Sequence, residues 1–181
     1  MSEELINILK TGGVAVLPTD TIYGLHASVI SQPAIEKIYK LKGRDYNKPL
    51  IVLISSLEDL DFFGVKLSEK TNEMLEKIWP NPISVVLDTP DSTLAFRMPN
   101  NKELLNLLKK TGPLVSTSAN PEGQPPAETI EQAKKYFGDQ VDYYLDGGEL
   151  KSSPSTLIKI MADQIEILRQ GSLDPKQLLA D

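Results

Sequence analysis

The sequence predicts an α/β protein built on a mixed sheet, part parallel and part antiparallel, flanked by helices. Three observations carry that expectation. Short apolar runs bounded by turn residues interleave with stretches of helical apolar periodicity. Some neighbouring apolar runs have only short links, such as 83–87 to 94–99 and 156–160 to 164–169, so the sheet is not purely parallel. No repeat, low-complexity tract or linker interrupts the 181 residues, so a single domain, 1–181, is expected.

Taken in order, Leu5, Ile6 and Leu9 mark a short amphipathic helix that Gly12-Gly13 ends. Residues 14–17 read as a buried strand. Pro18 stops it and opens a polar segment, 18–25, carrying Thr19, Asp20, Thr21 and Tyr23 directly after a strand end, where open α/β sheets bind ligands. The same hydroxyls and carboxylate also fit a turn that satisfies only its own backbone. Ser31 as cap and Pro33 in the first turn start a helix with an apolar face of Ile35, Ile38, Tyr39 and Leu41. Between Gly43 and Pro49 a helix cannot continue, so Lys42, Arg44 and Lys48 are expected on an exposed loop before the strand 50–54. Three cations within seven residues suit a phosphate or carboxylate. They equally fit a solvated surface loop.

Residues 57–63 predict a short helix or turn. Ser68 caps a helix with Met74, Leu75, Ile78 and Trp79 inward, which Pro80 ends. A strand at 83–87 and a turn at 88–92 lead to a short strand, 94–99, that contains Arg97. An arginine in an apolar strand needs an anionic partner, either a carboxylate or a ligand. Leu104, Leu105, Leu107 and Leu108 form a helix ended by Gly112-Pro113. Residues 114–121 start as a strand and dissolve into Ser116, Thr117, Ser118 and Asn120, small donors that suit a polar ligand or an ordinary polar loop. Thr129 and Gln132 make a capping box, and 141–145 is strand-like. Residues 156–160 and 164–169 predict an antiparallel pair turned at Ala162-Asp163, with a last helical turn from 174 to 179 and a tail that frays.

Composition excludes several functions. The net charge is −6 and the pI about 4.9, which argues against a broad, sequence-blind grip on nucleic acid. There is no cysteine and one histidine, His26, so thiolate chemistry, a His-rich metal site and a conventional triad are not expected. His26 reads as structural. No signal-peptide pattern or membrane-length apolar run occurs, and the default location is the cytoplasm. Walker A, GxGxxG, HExxH, EF-hand and GxSxG patterns are absent, so catalysis would rest on positioning and electrostatics.

Eight pieces of the sequence, in order, resemble the YrdC/TsaC family of threonylcarbamoyl-AMP synthases in its short form. They are the Pro-Thr-Asp-Thr-Ile-Tyr-Gly-Leu segment from Pro18, Lys42-Gly43-Arg44 with Lys48-Pro49-Leu50, Trp79-Pro80-Asn81-Pro82, Arg97-Met98-Pro99, Ser118-Ala119-Asn120, Asp146-Gly147-Gly148, Pro154-Ser155-Thr156 and Leu168-Arg169-Gln170-Gly171. The resemblance implies a twisted mixed sheet with a concave, positively charged cavity. It implies condensation of L-threonine, bicarbonate or CO2, and ATP to threonylcarbamoyl-AMP and pyrophosphate. Downstream threonylcarbamoyl-transfer proteins would then carry the group to tRNA, and Mg2+ would ride mainly on the ATP phosphates. On this resemblance Lys42 and Arg44 are the catalytic candidates. Thr21, Tyr23, Lys42 and Ser118 would meet threonine. Arg44, Lys48, Ser116, Ser118, Asn120, Ser155 and Arg169 would meet the nucleotide. Arg97 would serve the same cavity or a structural ion pair, and Asp20 would be a base or a turn cap. His26 departs from relatives that carry a small residue there, and Pro154 from relatives with Glu. The chain would lack the extra C-terminal domain of longer synthases. A YciO-like paralogue, or an RNA-binding module using the same cavity, is the alternative.

Overall fold

The computed structural model describes residues 1–161 and 164–178. The elements follow as α1 (Glu3–Lys10), β1 (Ala15–Pro18), β2 (Tyr23–Ser28), α2 (Gln32–Lys42), β3 (Ile51–Leu53), α3 (Glu69–Ile78), β4 (Ile83–Asp88), β5 (Thr93–Arg97), α4 (Lys102–Thr111), β6 (Leu114–Ser118), α5 (Ile130–Phe137), β7 (Tyr143–Tyr144), β8 (Thr156–Met161) and β9 (Gln164–Arg169). Four helices start where a polar side chain takes an otherwise orphaned amide. Ser2 accepts from Leu5, Ser68 from Thr71, Asn101 from Leu104 and Thr129 from Gln132. Ser31 stands at the start of α2 as expected, but its hydroxyl makes no cap bond there; a proline in the first turn fixes the helix entry instead. Residues 57–63 form a 3-10 turn, Leu57–Phe63, closed by a capping box of Ser56 and Asp59.

The strands form one sheet in the order β7-β1-β2-β6-β3-β5-β4-β8-β9. The β1–β7, β3–β5 and β4–β8 pairs are parallel, and the other five are antiparallel. The mixed sheet predicted from the sequence is what forms. Strand alternation sorts its apolar residues onto two faces. Val16, Leu25 and Val115 pack under α2 and α5, while Val52, Val85, Phe96 and Ile158 pack under α3. On the opposite face Ala15, Leu17, Leu53 and Leu114 pack under α1 and α4. Those two helices cover only one part of their face. The remainder is left open, and it becomes the cavity floor.

Three expectations change. Segment 18–25 is not a loop: Pro18 ends β1 and Tyr23–Ser28 is a strand, leaving only Thr19, Asp20, Thr21 and Ile22 as the turn. Every residue of β2 is buried, so no alternation reaches the sequence, and its Gly, His, Ala and Ser are poor strand formers. The strand-like stretch 141–145 shrinks to Tyr143–Tyr144, which pairs parallel to β1. Lys42 is not on an exposed loop. It is the last residue of α2, only 3% exposed, with Gly43 in the left-handed region behind it. The predicted turn at Ala162-Asp163 and the fraying tail from 179 to 181 lie outside the described residues; before that tail, Pro175–Leu178 forms a 3-10 turn.

The far edge of the sheet closes on itself through main chain. Gly171 lies against residues 154–156, with its amide on Thr156 Oγ1 at 3.0 Å and the Ser172 amide on the Pro154 carbonyl at 3.0 Å. A Cβ at 171 would stand 2.2 Å from the Pro154 oxygen and 2.4 Å from the Ser155 carbonyl carbon, both rigid backbone. At Gly43 a Cβ would meet nothing, and only the positive φ is at issue. Gly171→Ala should therefore cost about 2–3 kcal/mol of stability through overpacking, against about 1 kcal/mol for Gly43→Ala. Urea denaturation of both variants checks the order.

Candidate functional site

The site is walled first by buried charge. Arg97, at the end of β5, is 5% exposed, and its guanidinium forms an ion pair with Asp20 in the β1–β2 turn. It also donates to Thr21 Oγ1 at 3.2 and 3.3 Å. Both Asp20 oxygens are engaged: the second accepts the Asn100 amide at 3.0 Å. Burial lowers the Arg97 pKa, and the Asp20 charge opposes that shift. Within the turn, Thr19 Oγ1 donates to the Ile22 carbonyl at 2.7 Å and accepts the Thr21 and Ile22 amides. Asp20 is thus part of a wall. Of the two roles the sequence left to Arg97, the structural ion pair is the one present, and the residue also borders the cavity.

Tyr23 has its hydroxyl already spent. It donates to the Gly148 carbonyl at 2.7 Å and accepts the Gly147 amide at 2.8 Å, clamping the 146–148 turn. Burial raises its pKa.

The second wall is the end of β6. Lys42 Nζ donates to the carbonyls of Ser118 and Asn120, both at 2.7 Å, with Ser118 Oγ and Asn120 Oδ1 at 3.4 Å. Burial lowers its pKa to about 8, and the nearby Arg44 charge adds to the effect. The Asn120 amide is turned back onto Pro121 and Gln124 carbonyls at 2.9 and 2.7 Å. Neither Lys42 nor Asn120 lines the cavity. They set the course of the chain behind Ser118.

Arg44 is different. It lines the cavity half-buried, and its contacts to Thr117 Oγ1 and the Pro49 carbonyl are long, at 3.4 and 3.5 Å. Its Nε is buried with no hydrogen-bond partner among the described residues. This guanidinium has donors to give. Lys48 also lines the cavity but is exposed and ion-paired to Glu122, whose own amide holds the Lys42 carbonyl at 2.7 Å.

The third wall comes from β8 and β9. Arg169 donates to the Ser155 carbonyl at 2.9 Å, and Ser155 Oγ bonds Ser84 Oγ at 2.9 Å in the core. The cavity between these walls is open to solvent on one side and about 750 Å3, within the range of sites that bury a small ligand. Of the sequence-predicted residues it gathers Thr21, Tyr23, Arg44, Lys48, Ser116, Ser118, Ser155, Arg169 and Arg97. Its floor is a cross-strand row, Ser116–Ile51–Ala95–Val86–Lys159, with Glu166 beyond. Sequence reasoning missed Lys159 and Glu166. The signal was present: in the predicted hairpin, Leu157 and Lys159 share a face by the two-residue period. Among the described lining residues five cations (Arg44, Lys48, Arg97, Lys159, Arg169) face one carboxylate, Glu166. No group of three His, Cys, Asp or Glu among the described residues could hold a metal ion.

The family model for Sua5, YciO and YrdC, described as "Telomere recombination", matches residues 7–171. A threonylcarbamoyl-AMP synthase of Pseudomonas paraeruginosa is 31% identical over 170 residues, covering 87% of this chain and 91% of that protein. The structure of Pyrococcus abyssi Sua5 complexed with L-threonine matches with a TM-score of 0.89 at 27% identity, over 97% of this chain and 56% of that one. This chain therefore spans little more than half of the archaeal protein. Escherichia coli YciO matches with a TM-score of 0.85 at 24% identity over 97% and 91% of the two chains, a likeness of fold.

Two outcomes follow from the buried cations. Asp20→Ala strands the Arg97 charge and should remove about 3–5 kcal/mol of unfolding free energy, whereas Asp20→Leu with Arg97→Met should cost far less; chemical denaturation of the three proteins measures this. For Lys42 the folded pKa, about 8, lies below the ordinary value of 10.5. Below pH 8 both folded and unfolded chains hold the proton, and the cost of the buried charge is fully present. Between pH 8 and 10.5 the unfolded chain binds more protons, so stability rises with pH. The stability advantage of the wild type over Lys42→Met should therefore grow across that window. A difference that stays flat rules out a depressed ammonium.

Proposed function

The chain belongs to the Sua5–YciO–YrdC family, and on that premise we propose that it is an L-threonylcarbamoyladenylate synthase. It condenses L-threonine, bicarbonate and ATP to threonylcarbamoyl-AMP and pyrophosphate. The observation that carries the reading is Arg44, a half-buried guanidinium whose terminal nitrogens make only long contacts, at 3.4 and 3.5 Å, and which lines the cavity beside Thr117 and Ser118.

The chemistry asks the protein to bring anions together. The neutral amine of threonine and bicarbonate give a carbamate and water. A carbamate oxygen attacks the α-phosphorus of ATP, the bond to the β-phosphate oxygen breaks, and pyrophosphate leaves. Attacker, target and leaving group are all negative, so fixed cations lower the barrier most. Arg44 is the catalytic residue, bridging the threonine carboxylate or carbamate and the α-phosphate. Lys48 and Arg169 take the outer phosphates and nucleotide. Ser116, Ser118 and Ser155 border the nucleotide, and Thr21 meets threonine.

Lys42 acts by holding the Ser118 and Asn120 carbonyls, and Tyr23 by holding the 146–148 turn. Asp20 is committed to Arg97 and Asn100, which supports loss of the amine proton to bicarbonate or water. Magnesium enters with ATP as part of the substrate. The product passes in the cytoplasm to a threonylcarbamoyl-transfer protein and from there to tRNA.

Pyrophosphate release from ATP should require both L-threonine and bicarbonate, with serine and glycine giving much less. Arg44→Ala should lower kcat/KM about 100- to 1,000-fold while the unfolding transition stays near that of the wild type. A folded protein that binds ATP and releases no pyrophosphate with any amino acid would instead be a YciO-like paralogue.

A further inference from the structure

One fully buried titratable side chain has no part in the reaction above. His26 lies on β2, 0% exposed, in the row that runs into the cavity floor. Ser116 is its cross-strand partner, and His26 Nε2 is 3.2 Å from Ser116 Oγ. Ser116 lines the cavity and His26 does not. The opening for the ring comes from Gly24, two residues earlier on the same face of β2. A Cβ there would stand 2.7 Å from His26 Cε1, so the imidazole fills the space a side chain at 24 would need. Gly24 itself lines the cavity. The ring therefore lies just beneath the cavity wall, with the wall's serine as its side-chain hydrogen-bond partner and the main chain of Gly24 and Ala15 beside it.

Burial holds the imidazole neutral, with a pKa of about 4, and the Arg97 charge acts in the same direction. A neutral ring near neutral pH is a fixed hydrogen-bonding partner and not a charge. A serine hydroxyl has one proton and two lone pairs, and its rotor turns freely unless a neighbour fixes it. The bond to Nε2 takes one of those directions and leaves the others for the cavity.

We propose that His26 is a positioning residue for nucleotide binding, fixing the Ser116 hydroxyl toward the ATP held in the cavity. The proposal rests on the synthase reading, because that reading makes ATP the ligand. The role requires a side chain with a hydrogen-bonding atom at the reach of Nε2. Gln supplies such an atom and Leu does not.

The test measures kcat, KM for ATP, KM for L-threonine and the ATP dissociation constant by calorimetry. The proteins are wild type, His26→Leu, His26→Gln, Ser116→Ala and the His26→Leu/Ser116→Ala double variant, each checked by thermal unfolding. His26→Leu should weaken ATP binding about tenfold, the size expected for one buried hydrogen bond to a ligand, with KM for L-threonine unchanged. Ser116→Ala should match it, the double variant should lose nothing more, and His26→Gln should recover most of the loss. Additive losses in the double variant, a Gln variant as weak as Leu, or unchanged ATP affinity in His26→Leu would each overturn the proposal. Failure of the synthase reading looks different: the wild type would then bind ATP yet release no pyrophosphate, and the calorimetric cycle would still decide the role of His26.

Discussion

A guanidinium taken out of water must bring an anion with it, and that requirement shapes this molecule. Arg97 and the Asp20 side chain are each about 6% exposed, and they meet across 77 positions of sequence. Their pairing fixes the β1–β2 turn against the end of β5, with the Asn100 amide on the second Asp20 oxygen and Thr21 on the outer guanidinium nitrogens, while the Arg97 Nε stays without a partner among the described residues. The turn could lie elsewhere on local grounds, because Thr19 alone closes it. It is the long-range charge that places it at the cavity.

Lys42 solves the same problem without a carboxylate. Its ammonium is covered by two carbonyls at 2.7 Å, which are dipoles and not charges, and its pKa falls accordingly. The helix end and the strand end are thereby held together at one atom. The buried cations thus build walls, while Arg44, Lys48 and Arg169, nearer to solvent, face the space between them. Burial separates the cations committed to protein partners from those left toward solvent at the cavity better than proximity of the motif residues does, since Lys42 and Arg44 are only two positions apart.

Much of this was legible in the sequence, and the parts that were not have physical reasons. Amphipathic helices with polar caps read cleanly, as at Ser68 and Thr129, because their signal is local; the capping box expected at Thr129 forms only in part, since the Gln132 side chain accepts the Glu128 amide and not that of Thr129. The mixed sheet followed from short links between strands. β2 was invisible because both of its faces are covered, and the burial of His26 within it erases any alternation. The need of Arg97 for an anion was readable; its choice of Asp20 was not, since 77 residues separate them. Lys42 was misplaced by one residue of helix end, enough to turn an expected exposed side chain into a buried one. Lys159 and Glu166 escaped because the two-residue period puts Lys159 on one face with Leu157, but only the register between β4, β8 and β9 brings that face to the floor.

The ion pair of Lys48 with Glu122 fits the same division. Both side chains are exposed, at 55% and 40%, so their attraction is screened and contributes little to stability. Glu122 is nevertheless held in place, its amide bonded to the Lys42 carbonyl. A weak pair on a fixed backbone is easily exchanged. A polyphosphate carries more charge than one carboxylate and can take Lys48 from Glu122 at small cost, whereas it cannot take Arg97 from Asp20 without stranding a buried anion. The strong pair therefore keeps the cavity's shape and the weak one leaves its cation available. That difference follows from burial, and burial follows from which strand or loop each residue occupies.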